Sequence, residues 1–472
     1  MTDSPQAIPI PGQPLLLLGA FDIGSVGYAA EEFFISGTAT SYAPEAALSP
    51  DGRWSVNPSG TADYTTRAVL LTPTDPARFN GTVLVEWLNV SGGIDAPAVW
   101  MMAHREILRS GYAYVAVSAQ RVGVDGGESL LGFDMSLKTQ DPTRYAALSH
   151  PGDAFAYDIF SQTGKFARDI LPGVQHVVAV GESQSAMFLT TYVNAVDPLA
   201  RAYDGFLVHS RFGSAAPLDG ISIFDESQTG VPEAVRFRPD LRVPLVTIIT
   251  ETDLLGPVRY GYYFARQPDS EWLRVWEIPG AAHADNYTIQ VAPIDSGSAA
   301  LDDIVAAYAP TNMLMGQRLG HCINFAPQHH YVVQAALAAL NTWVRTGEPA
   351  PTATPIAVRE TDQPQPILDA NGLARDGIRT PWVDVPIART SGMGVSGVSE
   401  LDPSSIMTAI FGSGERFDDA TVRRLYPGGP GEYLERFTAA LDSAIQSGFI
   451  LAADRAEILE LADATYPRDR SE

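Results

Sequence analysis

Residues 176–193 constrain the fold of this chain more than any other stretch. They read His-Val-Val-Ala-Val-Gly-Glu-Ser-Gln-Ser-Ala-Met-Phe-Leu-Thr-Thr-Tyr-Val, an apolar run that meets Gly181-x-Ser183-x-Ser185 and then continues with helical spacing. This pattern predicts a strand, a sharp turn and a helix, with Ser183 at the apex of the turn. Such a turn holds the serine in strained backbone angles and tolerates only small neighbours. Ser183 is therefore the candidate nucleophile, although Ser185 stands where a second glycine is usual.

The order of the residues that follow matches what a nucleophilic serine needs. A carboxylate and then a histidine must come later in the chain, each on a loop after a strand. Residues 243–250 form an apolar, β-branched run, and Glu251 and Asp253 follow it directly. Residues 273–278 read as another strand, and His283 lies in the Gly/Ala-rich loop after it. We predict His283 as the general base and Asp253 as the acid, with Glu251 as the alternative acid.

An oxyanion hole requires two main-chain N–H donors, one of them from the residue after the nucleophile. Gln184 holds that position. The second donor comes from the loop after an earlier strand, and residues 81–88 form such a strand. Asn89 and Val90 open the loop after it and are the predicted donors, with an ordinary Ser-Gly-Gly turn at residues 91–93 as the alternative.

One group of side chains raises the question of a metal. His321, His329 and His330 cluster in the sequence, and the single Cys322 stands beside the first of them. Their spacing matches no usual zinc ligand pattern, and a thiol next to one histidine is more often packed than metallated. We therefore predict no metal site and no cofactor.

Charge limits the partners that this chain can bind. The sequence has 31 basic and 55 acidic residues, which give a net charge of -24. Such a charge repels nucleic acid and anionic membranes, so we expect a small-molecule substrate and neither of those partners. The composition leaves a homo-oligomer open.

Cysteine content and the N-terminal residues bear on localisation. A single cysteine excludes an intrachain disulfide. The first residues lack a basic region, and the apolar run at 15–18 is too short for a signal core or a membrane span. We expect a cytoplasmic protein, with export left open.

Patterning divides the chain into three regions. Residues 1–75 alternate apolar and polar residues around turns and predict an antiparallel β apron. Residues 76–345 alternate strand and helix patterns, among them a predicted strand at 113–117, which predicts an α/β core with a mostly parallel sheet. Segments 212–241 and 286–327 do not fit that rhythm and are predicted lid insertions. Residues 346–472 begin Pro-rich and form an appended C-terminal extension. Helical periodicity returns there over 431–447 and 453–464, and Gly448 is the predicted stop between these two helices.

Several motifs together resemble one bacterial family, the alpha/beta-hydrolase domain-containing proteins. The resemblance is carried by the segments 85–93, 117–120, 150–161, 181–186, 203–211, 250–253, 282–285 and 377–386. It implies the α/β-hydrolase fold, esterase-like hydrolysis, and a triad of Ser183, His283 and the Glu251/Asp253 pair. We predict a serine hydrolase that cleaves carboxylic esters through an acyl-enzyme on Ser183. An amidase or peptidase with the same triad, or a non-catalytic binding protein on this scaffold, is the alternative.

Overall fold

The chain divides into two compact units. A computed structural model describes residues 4–130, 132–223, 225, 230–256, 261–361, 363–394 and 409–468. The first unit comprises Met1–Thr247, Tyr262–Leu273 and Leu340–Pro349, and the second comprises Ile248–Gly261, Arg274–Ala339 and Ala350–Glu472. The division of the sequence into regions 1–75, 76–345 and 346–472 stays a prediction.

A mixed β-sheet forms the centre of the first unit. Its strands are β1 (Gln6–Ile10), β2 (Tyr28–Pro44), β3 (Val56–Pro73), β4 (Thr82–Trp87), β5 (Ala113–Val117), β6 (His176–Glu182) and β7 (Gly205–His209). They lie in the order β1-β2-β3-β5-β4-β6-β7, and the order continues with β8 (Leu245–Thr250) and β9 (Leu273–Ile278), whose first residues belong to this unit.

From β1 to β7, the pairing of neighbouring strands changes once, from antiparallel to parallel. The pairs β1–β2, β2–β3 and β3–β5 are antiparallel, and β2 and β3 form a long hairpin. The pairs β4–β5, β4–β6 and β6–β7 are parallel. The predicted antiparallel N-terminal strands and the predicted parallel core strands are therefore both confirmed.

The parallel strands are buried on both faces. Every residue of β4, β5 and β7 is buried. Strands covered on both sides read as nearly continuous apolar runs, which is why the sequence identified them without alternation. The ends of β4 and β6 thus extend from a rigid core, and the residues of interest follow at those ends.

Helices connect the strands of the first unit. They are α1 (Ala98–Arg109), α2 (Arg121–Asp125), α3 (Leu137–Gln140), α4 (Ala156–Asp169), α5 (Gln184–Thr191) and α6 (Asp197–Ala200). Turns of 3-10 helix lie at Pro76–Arg78, Asp153–Phe155 and Tyr262–Ala265, and a π-helical turn lies at Tyr192–Val196.

The second unit is richer in helices. It contains α7 (Glu251–Leu255), α8 (Leu301–Ala307), α10 (Pro381–Asp384), α11 (Asp419–Leu425), α12 (Pro430–Gln446) and α13 (Arg455–Thr465), while α9 (Gln328–Thr346) begins here and ends in the first unit. Short antiparallel pairs join β10 (Met313–Leu314) to β11 (Gln317–Arg318), β12 (Val358–Arg359) to β13 (Gln365–Pro366), and β14 (Ala388–Ser391) to β15 (Ser413–Arg416). A π-helical turn lies at Tyr287–Val291 and a 3-10 turn at Ala452–Asp454.

The C-terminal helices have a hydrophobic core of their own. Phe437 and Leu441 of α12 and Ile458 of α13 are buried in one cluster with Tyr331 of α9. Gly448 follows α12 with φ 79°, a left-handed angle that commonly ends a helix at glycine. The predicted stop between the last two helices is therefore confirmed.

The two predicted insertions contain little regular structure. Residues 286–327 hold the π-helical turn, α8 and the β10–β11 hairpin. In segment 212–241, residues 224 and 226–229 lie outside the described residues, and those that are described form no helix or strand. Whether either segment acts as a lid stays a prediction.

Candidate active site

Ser183 has the strained backbone that the sequence predicts. It lies between the end of β6 and the start of α5, with φ 59° and ψ −116°. A residue with a Cβ rarely adopts such angles, which cost about 1–3 kcal/mol and persist only where the surroundings enforce them. The Ser183 N–H donates to the carbonyl of His209 at the end of β7, at 3.0 Å, which helps to fix the turn. The serine is partly exposed rather than buried.

Small residues on both sides let this turn pack closely. A Cβ added at Gly181 would lie 2.9 Å from Leu189 Cδ1 and 3.2 Å from Ser185 Cβ. Ser185 itself is fully buried. The strand and the helix therefore approach closely at this point, and serine is small enough to replace the usual second glycine.

The loop after β4 is hydrogen-bonded to Glu182, the residue before Ser183. The Asn89 side chain donates from Nδ2 to the main-chain carbonyl of Glu182 at 3.1 Å, and its Oδ1 accepts the Ser91 N–H at 2.8 Å. The main-chain N–H of Asn89 donates to the Ala96 carbonyl at 2.9 Å. The structure thus gives Asn89 a role in holding the loop, and of the two predicted loop donors we retain Val90.

Two buried amides link this loop to the first residue of α5. The Gln120 Oε1 accepts from Trp87 Nε1 at 3.0 Å and from Gln184 Nε2 at 2.7 Å. Its Nε2 donates to the Asp153 carboxylate at 3.1 Å. An indole N–H only donates and a carboxylate only accepts, so both ends fix the orientation of these amides. Gln184 Oε1 consequently faces the Val90 N–H, at 3.4 Å.

In the second unit, His283 and Asp253 form a buried pair. His283 Nδ1 lies 2.6 Å from Asp253 Oδ1. The other carboxylate oxygen, Oδ2, accepts from both the N–H and the hydroxyl of Thr250, each at 2.8 Å, as part of the cap of α7. Because a carboxylate only accepts, the Nδ1 of His283 carries the proton and Nε2 is the basic nitrogen.

Glu251 lies at the start of the same helix, α7, but has different partners. Its carboxylate accepts from the Gly280 N–H at 2.5 Å, the Ser391 hydroxyl at 2.7 Å and the Gly392 N–H at 2.8 Å. Burial raises the pKa of this carboxyl, and the three hydrogen bonds oppose that shift. Of the two predicted acids, the structure brings Asp253 to His283. Glu251 instead joins the segment before His283, at Gly280, to the segment at residues 391 and 392.

The histidine cluster of the sequence separates into different contacts. His330 stacks on Tyr287 with ring centroids 3.7 Å apart, and His329 Nδ1 lies 3.6 Å from Asp285 Oδ2. Among the described residues, no group of three or more His, Cys, Asp or Glu side chains is placed to hold a metal ion. These histidines have packing contacts that their spacing in the sequence could not indicate.

Sequence reasoning missed Gln120 and Asp153. Gln120 follows β5 by three residues, inside a segment that the family resemblance includes, but its partners lie far away in the chain. The one available signal was its position after a central strand, where functional side chains gather in α/β sheets.

Comparison with known proteins gives a family match over most of the chain. A sequence model described as the alpha/beta hydrolase domain matches residues 3–460. No curated protein matches the chain. Among solved structures, the chain is similar to a serine hydrolase without a lid from Xanthomonas campestris, at 11% identity and a TM-score of 0.30, covering 52% of this chain and 86% of that one. It is also similar to acetyl xylan esterase 1 from Thermoanaerobacterium sp., at 11% identity and a TM-score of 0.31, covering 60% and 84%.

The length and composition of the helices show whether any of them could span a membrane. Among the described residues, no helix combines the length and the apolar character needed to cross a lipid bilayer.

Proposed function

The chain belongs to the alpha/beta hydrolase domain family, and on this premise we propose that it is a serine hydrolase that cleaves carboxylic esters. The family match and the mixed sheet confirm the α/β-hydrolase fold that the sequence predicts. The proposed nucleophile is Ser183, the proposed base is His283 and the proposed acid is Asp253.

In the proposed reaction, Nε2 of His283 takes the proton of the Ser183 hydroxyl while Oγ of Ser183 attacks the ester carbonyl. Asp253 holds the imidazole in the tautomer with the proton on Nδ1 and stabilises the imidazolium that forms. The alcohol leaves with the proton from His283, and water then hydrolyses the acyl-enzyme with the same base. The acyl group is released as a carboxylic acid.

The developing oxyanion needs hydrogen-bond donors in place before the reaction. We assign this role to the main-chain N–H of Gln184 and that of Val90. Gln184 is the first residue of α5, where a main-chain N–H has no partner within the helix. When substrate binds, its carbonyl oxygen would take the place of the long contact from Val90 to Gln184 Oε1.

The observation that carries this proposal is the backbone of Ser183. Its φ of 59° at a residue with a side chain is costly. Strained angles of this kind concentrate at functional sites, and the sharp strand-to-helix turn is the setting in which a serine acts as a nucleophile.

Reaction with a fluorophosphonate probe tests the proposal directly. We expect the native protein to form an adduct on Ser183, located by peptide mass spectrometry, and Ser183→Ala to form none. Ser59→Ala, at an exposed position of β3, is the matched control and should label like the wild type. Folded wild-type protein that forms no adduct would favour a binding protein on this scaffold.

Turnover assays identify the bond that is cleaved. We expect hydrolysis of p-nitrophenyl esters by the wild type and a loss of several orders of magnitude in kcat for Ser183→Ala, as for other triads. Cleavage of anilides at rates comparable to those of matched esters would instead identify an amidase or peptidase.

A further inference from the structure

A pocket adjoins the proposed oxyanion donors in the first unit. It has a volume of about 310 Å³, and both Val90 and Gln184 line it. The other walls include Gln120, the start of α2 and the residues just after that helix, Gly152 and Asp153, and part of the segment 220–223. A group of the substrate on one side of the reacting carbonyl would therefore enter this pocket.

The hydrogen bonds within the walls determine which groups remain for a ligand. The Gln120 Nε2 and Oε1 are both engaged by neighbouring protein groups. Each oxygen of Asp153 accepts one hydrogen bond, Oδ2 from Gln120 Nε2 and Oδ1 from the Arg121 N–H at 2.7 Å. A carboxylate has about four lone-pair positions, so Asp153 retains the capacity to accept more.

Arg121 supplies donors at the same place. It is exposed, and its guanidinium makes no hydrogen bond or ion pair with any residue that the structure describes. Its main-chain N–H donates to the Asp153 carboxylate, and both residues line the pocket. The lining of the pocket thus includes an acceptor, Asp153, and a cationic donor, Arg121.

These charges disfavour three kinds of ligand. An alkyl group would remove water from the Asp153 carboxylate without replacing its hydrogen bonds, which is costly. An anionic group would meet Asp153 and Glu128, which outnumber the guanidinium of Arg121 in a chain of net charge -24. An ammonium group only donates hydrogen bonds, so it could pair with Asp153 but would offer the Arg121 guanidinium no acceptor. A hydroxyl group is neutral, donates one hydrogen bond and accepts others.

We infer that this pocket receives a neutral, hydroxylated part of the ester substrate. A hydroxyl group donates to the Asp153 carboxylate and accepts from the Arg121 guanidinium. The inference rests on the proposed function and names the substrate class of the same site: esters of polyols or of hydroxylated acids, rather than esters with an unsubstituted alkyl chain on this side of the carbonyl.

Two pairs of esters of matched shape test the inference. On the alcohol side, 2,3-dihydroxypropyl acetate is compared with 2-methylbutyl acetate. On the acyl side, methyl 2,3-dihydroxypropanoate is compared with methyl 2-methylbutanoate. Each pair differs in replacing two hydroxyl groups by carbon groups of similar size. The measured quantity is the kcat/KM of the hydroxylated ester divided by the kcat/KM of its alkyl partner. This ratio is compared between variants, so that the intrinsic reactivity of the esters cancels.

Arg121→Met removes the donor and keeps the length of the side chain. We expect the wild-type ratio for one of the two pairs to exceed the ratio of Arg121→Met by about tenfold or more, because a hydrogen bond to a charged group has that value. Arg121→Lys, which keeps the charge, should recover part of the ratio. Arg359→Met, at an exposed arginine of β12, should leave it unchanged. Thermal unfolding checks that each variant is folded.

Equal ratios for the wild type and Arg121→Met in both pairs would overturn the inference, and so would preference for the alkyl member of both pairs. If Ser183 still reacts with the fluorophosphonate probe in that case, the proposed function stands and only the substrate class is wrong. Failure of all four esters together with absence of the adduct would overturn both proposals. Calorimetric titration of Ser183→Ala with the four esters gives a binding readout that needs no turnover, and tighter binding of the hydroxylated esters is the expected result.

Discussion

Two carboxylates that stand two residues apart have different surroundings. Asp253 uses one oxygen for the cap of α7 and the other for His283. Glu251 instead accepts from two main-chain N–H groups and a hydroxyl in neighbouring loops. The same chemical group therefore orients an imidazole at one position and joins segments of chain at the other.

Substitution of these two residues should separate the roles. We expect Asp253→Asn to lower kcat by roughly three to four orders of magnitude, because the amide no longer enforces the productive tautomer of His283. Glu251→Gln should mainly lower Tm, since one buried N–H or hydroxyl donor would face an amide NH2. Ester hydrolysis and thermal unfolding of both variants provide the check. A large loss of kcat at unchanged Tm in Glu251→Gln would contradict this assignment.

At the scale of the elements, a buried side chain of one strand caps a helix. The N-cap residue of α1, Pro97, makes no side-chain cap. Glu86 of β4 accepts the Val99 N–H at 2.7 Å and the Trp100 N–H at 2.9 Å instead. The Tyr114 hydroxyl also donates to this carboxyl group, at 2.7 Å. The strand thus supplies the acceptors that the first turn of the helix lacks.

The protonation of Glu86 links this cap to pH. Burial raises the pKa of Glu86 to about 8, and its hydrogen bonds only partly oppose the shift. The folded state then retains a proton that the unfolded chain releases above its ordinary pKa of 4.5. The contribution of this group to stability is therefore complete below that ordinary pKa and is lost as the pH rises through about 8.

Glu86→Gln removes the titration and disturbs the cap. We expect a loss of about 1–2 kcal/mol in unfolding free energy at pH 5, because an amide NH2 would face an N–H donor. The difference in unfolding free energy between the wild type and Glu86→Gln should narrow towards pH 9, because the wild type loses the contribution of Glu86 there. Urea unfolding at several pH values measures this difference. A difference that widens with pH would mean that Glu86 is ionised in the folded protein.

Elements with continuous or strongly periodic apolar residues could be predicted closely. The strand at 113–117 and the strand at 273–278 occur with the predicted bounds, and the helix expected over 431–447 runs over Pro430–Gln446. Ser183 was recognisable because its turn is set by neighbours in sequence. The Gln120–Gln184 contact was not, because it joins residues 64 positions apart through side chains alone.

At the scale of the whole molecule, the apolar residues and the excess of acidic residues have different consequences. A composition of 45% hydrophobic residues is enough for the buried sheet of the first unit and for the separate cluster around α12 and α13. The net charge of -24 instead sets which charged ligands the molecule attracts or repels. Composition therefore predicts that cores exist, but their arrangement depends on the order of the elements.

The angles of Ser183 also have a consequence for the stability of the whole molecule. Glycine adopts φ near 60° with ψ near −120° without the clash of a Cβ. We expect Ser183→Gly to be inactive but to unfold at a higher temperature than both the wild type and Ser183→Ala, as measured by calorimetry. A lower Tm for the glycine variant would show that the turn is relaxed with a side chain in place. Selection for heat resistance alone would then replace Ser183 by glycine, and only selection for turnover would retain the proposed nucleophile.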